Sequence, residues 1–260
     1  MTAEHHDVVR REFARQADGF GHRSSLFASR SLAEWIDGGA RLGPDDLVLD
    51  AGGGAGDLSR TLAGRARQFV VADLTGALRD VGRDAAEAAG VRNVLFVRAE
   101  LEDLPFPDRS FDAVLCRFVV HHLADPAPAL RELRRVCRAD GRVVVADLVA
   151  LDHAVAPVHN ALERARDPSH TTALTEDALV AAIAEAGLAV RDVERIDRAL
   201  ELDAWLERAH TPPAPAGEVR AALLAELDGG APTGLRPGRD AGGAVTVSQR
   251  WVRIVARPAA

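Results

Sequence analysis

Val48-Leu49-Asp50-Ala51-Gly52-Gly53-Gly54-Ala55-Gly56 is the stretch that decides the fold. An apolar run ends in an acid, glycines recur at 52, 54 and 56, and a helical pattern follows over 57–66. The run reads as a strand over 47–51 feeding a tight turn into a helix. Side chains at 52, 54 and 56 would block a ligand lying against the backbone. The helix start offers it free N–H groups. Spacing then separates two ligand classes. A dinucleotide site asks for G-x-G-x-x-G, which would need a third glycine at 57. Asp57 stands there and would oppose a pyrophosphate. Asp50 followed by three alternate glycines suits a cationic ligand bearing an amino acid.

Outward from this turn the pattern repeats. Strands are expected at 69–72, 94–97, 111–116 and 142–148, with helices over 75–89 and 126–138. Continuous apolar strands alternating with amphipathic helices imply a parallel sheet covered on both faces. Right-handed crossovers make it doubly wound, with the ligand beyond the carboxyl ends of the strands. The rhythm changes after 150. A helix and loop over 152–172 precede Thr175, an N-cap with Glu176 and Asp177 in the first turn and Gly187 at the end. Strands follow at 188–193 and 245–256, with two short helices and a Gly/Pro-rich loop between them. Helices at 8–20 and 25–40 precede the first strand. The expected fold is α/β, doubly wound and Rossmann-like. It has a mostly parallel seven-stranded sheet, helices on both faces and helical cover segments. We read 1–260 as a single domain: a helical cover over 1–44, a core over 45–150, and a substrate cover with C-terminal strands over 151–260.

Composition narrows the chemistry. The 260 residues are 47% hydrophobic and 27% charged, with a net charge of −7, an ordinary globular balance without the basic face a nucleic-acid partner needs. All 32 basic residues are Arg and Tyr is absent, so no lysine Schiff base and no lysine or tyrosine base operates here. Cys116 and Cys137 fall in or beside buried strands, which reads as a reduced, cytoplasmic chain. No His/Cys cluster suggests a metal. No apolar leader core and no membrane-length apolar run is expected. Asp73 closes the second strand. Its carboxylate could accept two ribose hydroxyls or cap the next helix, and acids stand here in NAD enzymes too.

VLDAGGGAGDLS (48–59), VVADLT (70–75), the string LPFPDRSFD (104–112) within 96–148, and DPSHTTALTEDALVAAIAEAGL (167–188) together resemble class I S-adenosylmethionine (SAM)-dependent methyltransferases. The branch is that of ubiquinone/menaquinone biosynthesis, and the likeness is best over 45–150. The resemblance implies SAM as cofactor and S-adenosylhomocysteine (SAH) as product. It implies that Asp50, Gly52, Gly54 and Gly56 border the methionine part and that Asp73 with Leu74 holds the ribose. Glu100 and Leu101 would face the adenine. Arg117 would lie near the methionyl end or turn to its carboxylate or to the acceptor. Phe20 stands where the family often has Tyr, in a segment that closes over the cofactor. His121, His122 and His170 are candidate bases, the first two following the fourth strand. Phe118, His159, Asn160 and Arg166 are candidate acceptor contacts, and Trp205 and Trp251 read as packing residues. The expected function is methyl transfer to a small molecule, a natural-product or quinone-like metabolite, by a monomer or homodimer. The alternatives are a non-methylating descendant that keeps SAM or, further off, a nucleotide-dependent oxidoreductase.

Overall fold

Strand β1 (Leu47–Ala51) runs through the middle of the sheet, buried at its last four residues. Period-two alternation sends its side chains to two separate cores. Val48 joins one cluster with Ile36, Leu58 and Phe69, while Leu49 and Ala51 join another with Leu130, Leu133 and Ile183. Burial on both faces is what its unbroken apolar sequence requires. The computed structural model describes residues 3–17, 20 and 29–259.

The remaining strands are β2 (Gln68–Asp73), β3 (Val94–Arg98), β4 (Phe111–Arg117), β5 (Cys137–Val149), β6 (Leu188–Glu201), β7 (Gly238–Arg239) and β8 (Val245–Pro258). Their order is β3-β2-β1-β4-β5-β8-β6, with β7 paired to β8. The pairs among β1 to β5 are parallel. All pairs made by β8 are antiparallel. The expected seven-stranded sheet is therefore an eight-stranded mixed one. The eighth strand, β7, is a two-residue piece of the Gly/Pro-rich loop. It finds a partner because β8 continues past β5: β5 pairs residues 250–256, and β7 takes Val245 and Thr246.

Helices α2 (Arg30–Ala40), α3 (Asp57–Thr61) and α4 (Gly76–Ala88) lie toward one face, and α5 (Pro126–Val136) and α7 (Glu176–Glu185) pack on the other. Asp125 caps α5, its carboxylate accepting the Ala127 N–H at 3.0 Å. Thr175 is the N-cap of α7, without a side-chain cap bond. The cover consists of α1 (Ala3–Arg15), α6 (Ala156–Arg166), α8 (Leu202–Arg208) and α9 (Pro213–Leu227). The first helix lies at 3–15 rather than 8–20, and residues 25–28 of the second expected helix lie outside the described residues. A third cluster, Leu202, Trp205, Leu206, Val219, Leu223 and Val247, fastens α8 and α9 to the far end of β8. That end matters. β6 and β8 run 14 residues each, longer than expected for β6, and carry Leu200, Gln249 and Trp251 to the ligand side. Cys116 and Cys137 are buried free thiols, and burial pushes both up, Cys137 to about 12. No described helix is long and apolar enough to cross a membrane.

Candidate active site

A cavity opens beyond the carboxyl ends of β1, β2, β4 and β5, roofed by α1 and α8; its empty space is ≈ 1380 Å³ including the open mouth. The glycine turn forms its floor. Gly52, Gly54 and Gly56 all adopt positive φ, at 69°, 57° and 68°, where a Cβ is strained. The Gly52 N–H donates to Ala72 O at 2.7 Å, tying the turn to β2. Only part of the expected glycine reasoning applies. Gly52 and Gly54 line the cavity, but a Cβ on Gly52 would sit 2.5 Å from Val119 Cγ2. Gly56 does not line it; a Cβ there would meet Phe96 Cε1 at 2.9 Å. Gly56 thus permits helix–sheet packing. Asp50 is also below the floor, 1% exposed, accepting the Ser59 hydroxyl at 2.6 Å. Burial pushes its pKa up, against the Ser59 bond and the charge of Arg117.

Asp73 lies on the wall with Leu74. One carboxylate oxygen accepts the Gly54 N–H at 2.9 Å, the other the Thr75 N–H at 2.8 Å. Asp73 therefore does not cap α4, whose N-cap is Thr75; it ties the two turns together, and each oxygen keeps a lone pair for a hydroxyl. Glu100 and Leu101 line the same side, beneath Val9 and Phe13 of α1 and beside Phe20. His6 of α1 stands 3.7 Å from both Glu100 and Glu102. Asp57, the residue that argued against a pyrophosphate, is 2% exposed. Arg60 bonds its Oδ1, while its Oδ2 is buried without a partner, in a residue that lines the cavity. Arg117 lies within electrostatic reach of Asp50 and Asp57; burial lowers its pKa and both carboxylates oppose that. An amino acid carries an ammonium that an orphaned carboxylate oxygen can accept. A bare backbone floor, an anionic cradle and a ribose-competent carboxylate therefore fit SAM.

The chain leaves β4 through a turn that aims side chains back at this floor. Phe118 takes a left-handed φ of 56°, held by its N–H on Ala146 O at 2.8 Å and by Trp251, whose ring lies 4.7 Å away edge-on. A short 3-10 turn, Val120–His122, follows. Asp147 of β5 organises it. Its Oδ2 accepts the Val119 and Val120 N–H groups at 3.1 and 2.7 Å, and its Oδ1 accepts His121 Nδ1–H at 2.5 Å. His121 Nε2 is left as the basic nitrogen. Burial pulls the His121 pKa down, but the charge and hydrogen bond of Asp147 outweigh it and the net shift is upward. His122 Nδ1 donates to Ser169 O at 3.0 Å, and burial with the neighbouring His121 charge lowers its pKa to about 4. His121 and His122 both line the cavity, their ring centroids 4.0 Å apart.

Three expected residues do not face the cavity. His170 is 3% exposed behind His121, its Nε2 donating to Asn160 Oδ1 at 2.7 Å. Burial and surrounding positive charge drive its pKa far down, so it stays neutral. Asn160 also accepts the Ala173 N–H at 2.7 Å and donates to Ala173 O at 3.1 Å, which occupies it in holding the loop after α6. His159 is 1% exposed on the buried side of α6. Arg166, on the same helix, does reach the cavity. It donates to Trp205 O at 3.1 Å and to Glu163 at 3.2 Å and lies 4.6 Å from the Trp205 ring centroid. Trp205 and Trp251 pack as expected but also line the cavity, with Phe118, Leu200 and Gln249. Asp57, Asp147 and Arg208 were missed as site residues. The signal for Asp147 was available: like Asp73, it is an acid near the carboxyl end of a buried strand.

Comparison with known proteins agrees with this geometry. A sequence model described as a methyltransferase domain matches residues 49–145. The methyltransferase YcgJ of Bacillus subtilis (strain 168) is 35% identical over 166 residues, 64% of this chain and 66% of that one. A ubiquinone/menaquinone biosynthesis C-methyltransferase, UbiE of Vibrio cholerae, is 39% identical over 111 residues, 41% of this chain and 42% of that one. The match therefore spans a little under two thirds of YcgJ and well under half of UbiE. The crystal structure of B. subtilis YcgJ superposes with a TM-score of 0.80 at 26% identity, covering 89% of this chain and all (100%) of that one. With this fold, this glycine floor and these relatives, residues 49–145 form a methyltransferase domain, and the chain has the class I SAM-dependent methyltransferase fold.

Proposed function

We propose that the protein methylates a small molecule at an oxygen or carbon that must lose a proton, with His121 as the base. The observation that carries this is the His121–Asp147 pair in the cavity wall, at 2.5 Å. Bound SAM supplies a methyl on a positively charged sulfur that is already a good leaving group. Asp147 fixes the His121 tautomer and stabilises the imidazolium formed when Nε2 takes the acceptor's proton. His122 has its pKa lowered to about 4, which keeps it neutral and spares His121 a second adjacent cation. Phe118, Trp251 and Leu148 give the acceptor an apolar wall that excludes water. Asp73, Leu74, Glu100 and Leu101 hold the nucleoside, and Gly52, Gly54, Asp57 and Arg117 border the amino-acid end. The core and both covers, 1–260, act as one unit, as a monomer or homodimer. A net charge of −7 favours a metabolite over a nucleic acid. UbiE, a C-methyltransferase of quinone biosynthesis by name, points to a phenolic or quinone-like metabolite of the kind a base would activate.

The test is incubation of the full chain with SAM and a panel of phenols, hydroquinones, enolisable ketones and amines. Mass spectrometry then seeks a singly methylated product with matching SAH. Acidic acceptors should turn over and His121→Ala should abolish it. Turnover confined to amines, or unaltered by His121→Ala, overturns the reading.

A further inference from the structure

We infer that the acceptor is an anion, whose carboxylate or phosphate group is read by Arg208 together with Arg166. The inference rests on the methyl-transfer reading of the cavity and names the class of molecule that enters it. Arg208 closes α8 and lines the cavity, half-buried. Among the described residues, no carboxylate bonds or ion-pairs with it. The charged group that acts on it is Arg166, and burial and that neighbouring cation both lower its pKa. A helix C-terminus favours a cation, but that gives no reason to bury one against another.

Neither nearby acid, Glu163 nor the cavity-lining Asp167, bonds Arg208. Glu163, 1% exposed, accepts from Arg166 and, at 2.6 Å, from Gln249 Nε2. Asp167 Oδ1 accepts the Ser169 N–H at 2.9 Å and its hydroxyl at 2.5 Å. Two other cover arginines have carboxylate partners: Arg220 pairs with Asp203, and Arg195 with Glu176. Arg166 is fixed by Glu163, the Trp205 carbonyl and the Trp205 ring, so its guanidinium is preorganised. Arg208 supplies the cation without a counter-charge. An anionic oxygen pair spanning the two would relieve their repulsion through charge-assisted hydrogen bonds, beside Trp205. Phe118 and Trp251, packed edge-on, offer an apolar surface to the body of such a molecule. His121 then meets its acidic O–H or C–H. The acceptor class is a small aromatic or enolic acid, or its phosphate ester.

The full chain is first titrated with SAH by calorimetry. The SAH-saturated protein is then titrated with benzoate, phenyl phosphate and neutral benzyl alcohol. At least one anion should bind about tenfold or more tightly than the alcohol. Arg208→Gln should remove that preference, and Arg208→Lys should restore part of it, with SAH affinity unchanged in both. Whichever anion wins identifies the group. Equal binding of anion and alcohol, no anion binding at millimolar concentration, or full anion affinity in Arg208→Gln overturns the proposal. Loss of SAH binding by the wild-type chain would instead sink the methyl-transfer reading, and benzoate titrated without SAH would still report on the arginine pair.

Discussion

In the proposed reading, the cofactor half of the cavity comes from the turn after β1 and the ends of the next two strands, residues 52–101, with Arg117 at its amino-acid end. The proposed acceptor half is gathered from the β4 exit, the end of α6, α8 and the far end of the β6–β8 ladder, residues 118–251. The first half works through backbone conformation and two or three carboxylates. The second works through large side chains, each positioned by another element: His121 by Asp147, Phe118 by Trp251, Arg166 by Glu163. A ligand read by bare backbone needs a fixed local sequence. A ligand read by side chains needs only that several elements converge.

This contrast can be broken by experiment. The largest effect is expected from His121→Ala. Turnover should fall about 10²- to 10⁴-fold, while calorimetric SAH affinity stays the same; a parallel loss of SAH binding would show that the halves are not separable. Asp147→Asn should act through His121. Removing the carboxylate lowers the imidazole pKa, so the acid limb of kcat/KM shifts to lower pH and the maximal rate drops about 10²-fold or more. The same pair has a stability signature. Because the folded pKa of His121 is raised above 6.5, its contribution is full below that pH and is lost as pH rises through the raised value. The thermal stability difference between wild type and Asp147→Asn should therefore shrink toward alkaline pH.

Asp73→Ala should weaken SAH by about tenfold to hundredfold, through lost charge-assisted bonds and a loosened Gly54. Unchanged affinity would remove its ribose role. Two glycine variants sharpen the contrast further. Gly52→Ala combines positive φ with a 2.5 Å clash against Val119, so it should cost about 2–4 kcal/mol of stability and disturb the turn carrying His121. Gly54→Ala meets nothing closer than 3.5 Å and should cost only about 1–2 kcal/mol, yet reduce SAH binding because its Cβ intrudes on the ligand floor. Chemical denaturation and calorimetry on the pair would separate the two roles.

Legibility followed the same division. Asp73 could be placed from the strand–helix rhythm, because it closes a strand in a sheet whose ligand side is fixed by handedness, while Leu74, Glu100 and Leu101 came from the family resemblance; all four line the cavity. Gly56 and Asp50 were misassigned within the same motif. Alternate glycines specify a strained turn, but not which would meet Val119 or Phe96, nor that Asp50 turns inward to Ser59. In the second half, His159, Asn160, Arg166 and His170 looked alike as a polar set near one helix, yet only Arg166 faces the cavity. Helix rotation relative to β8 and the buried loop through Ala173 decided that. Arg208 carried no sequence signal, since a terminal helix arginine is ordinary until its surroundings are known.

By itself, the sequence determined the parallel core, the direction of its ligand side and a glycine turn suited to a cationic ligand. Those depend on short-range rules: two-residue alternation, positive φ and helix starts. Only the tertiary structure decided that β8 runs antiparallel between β5 and β6, that Asp147 stands behind His121, and that two arginines share one wall. The reason is physical. Strand direction, helix rotation and charge pairing across a cavity are fixed by contacts between residues far apart in the chain, and no local pattern encodes them.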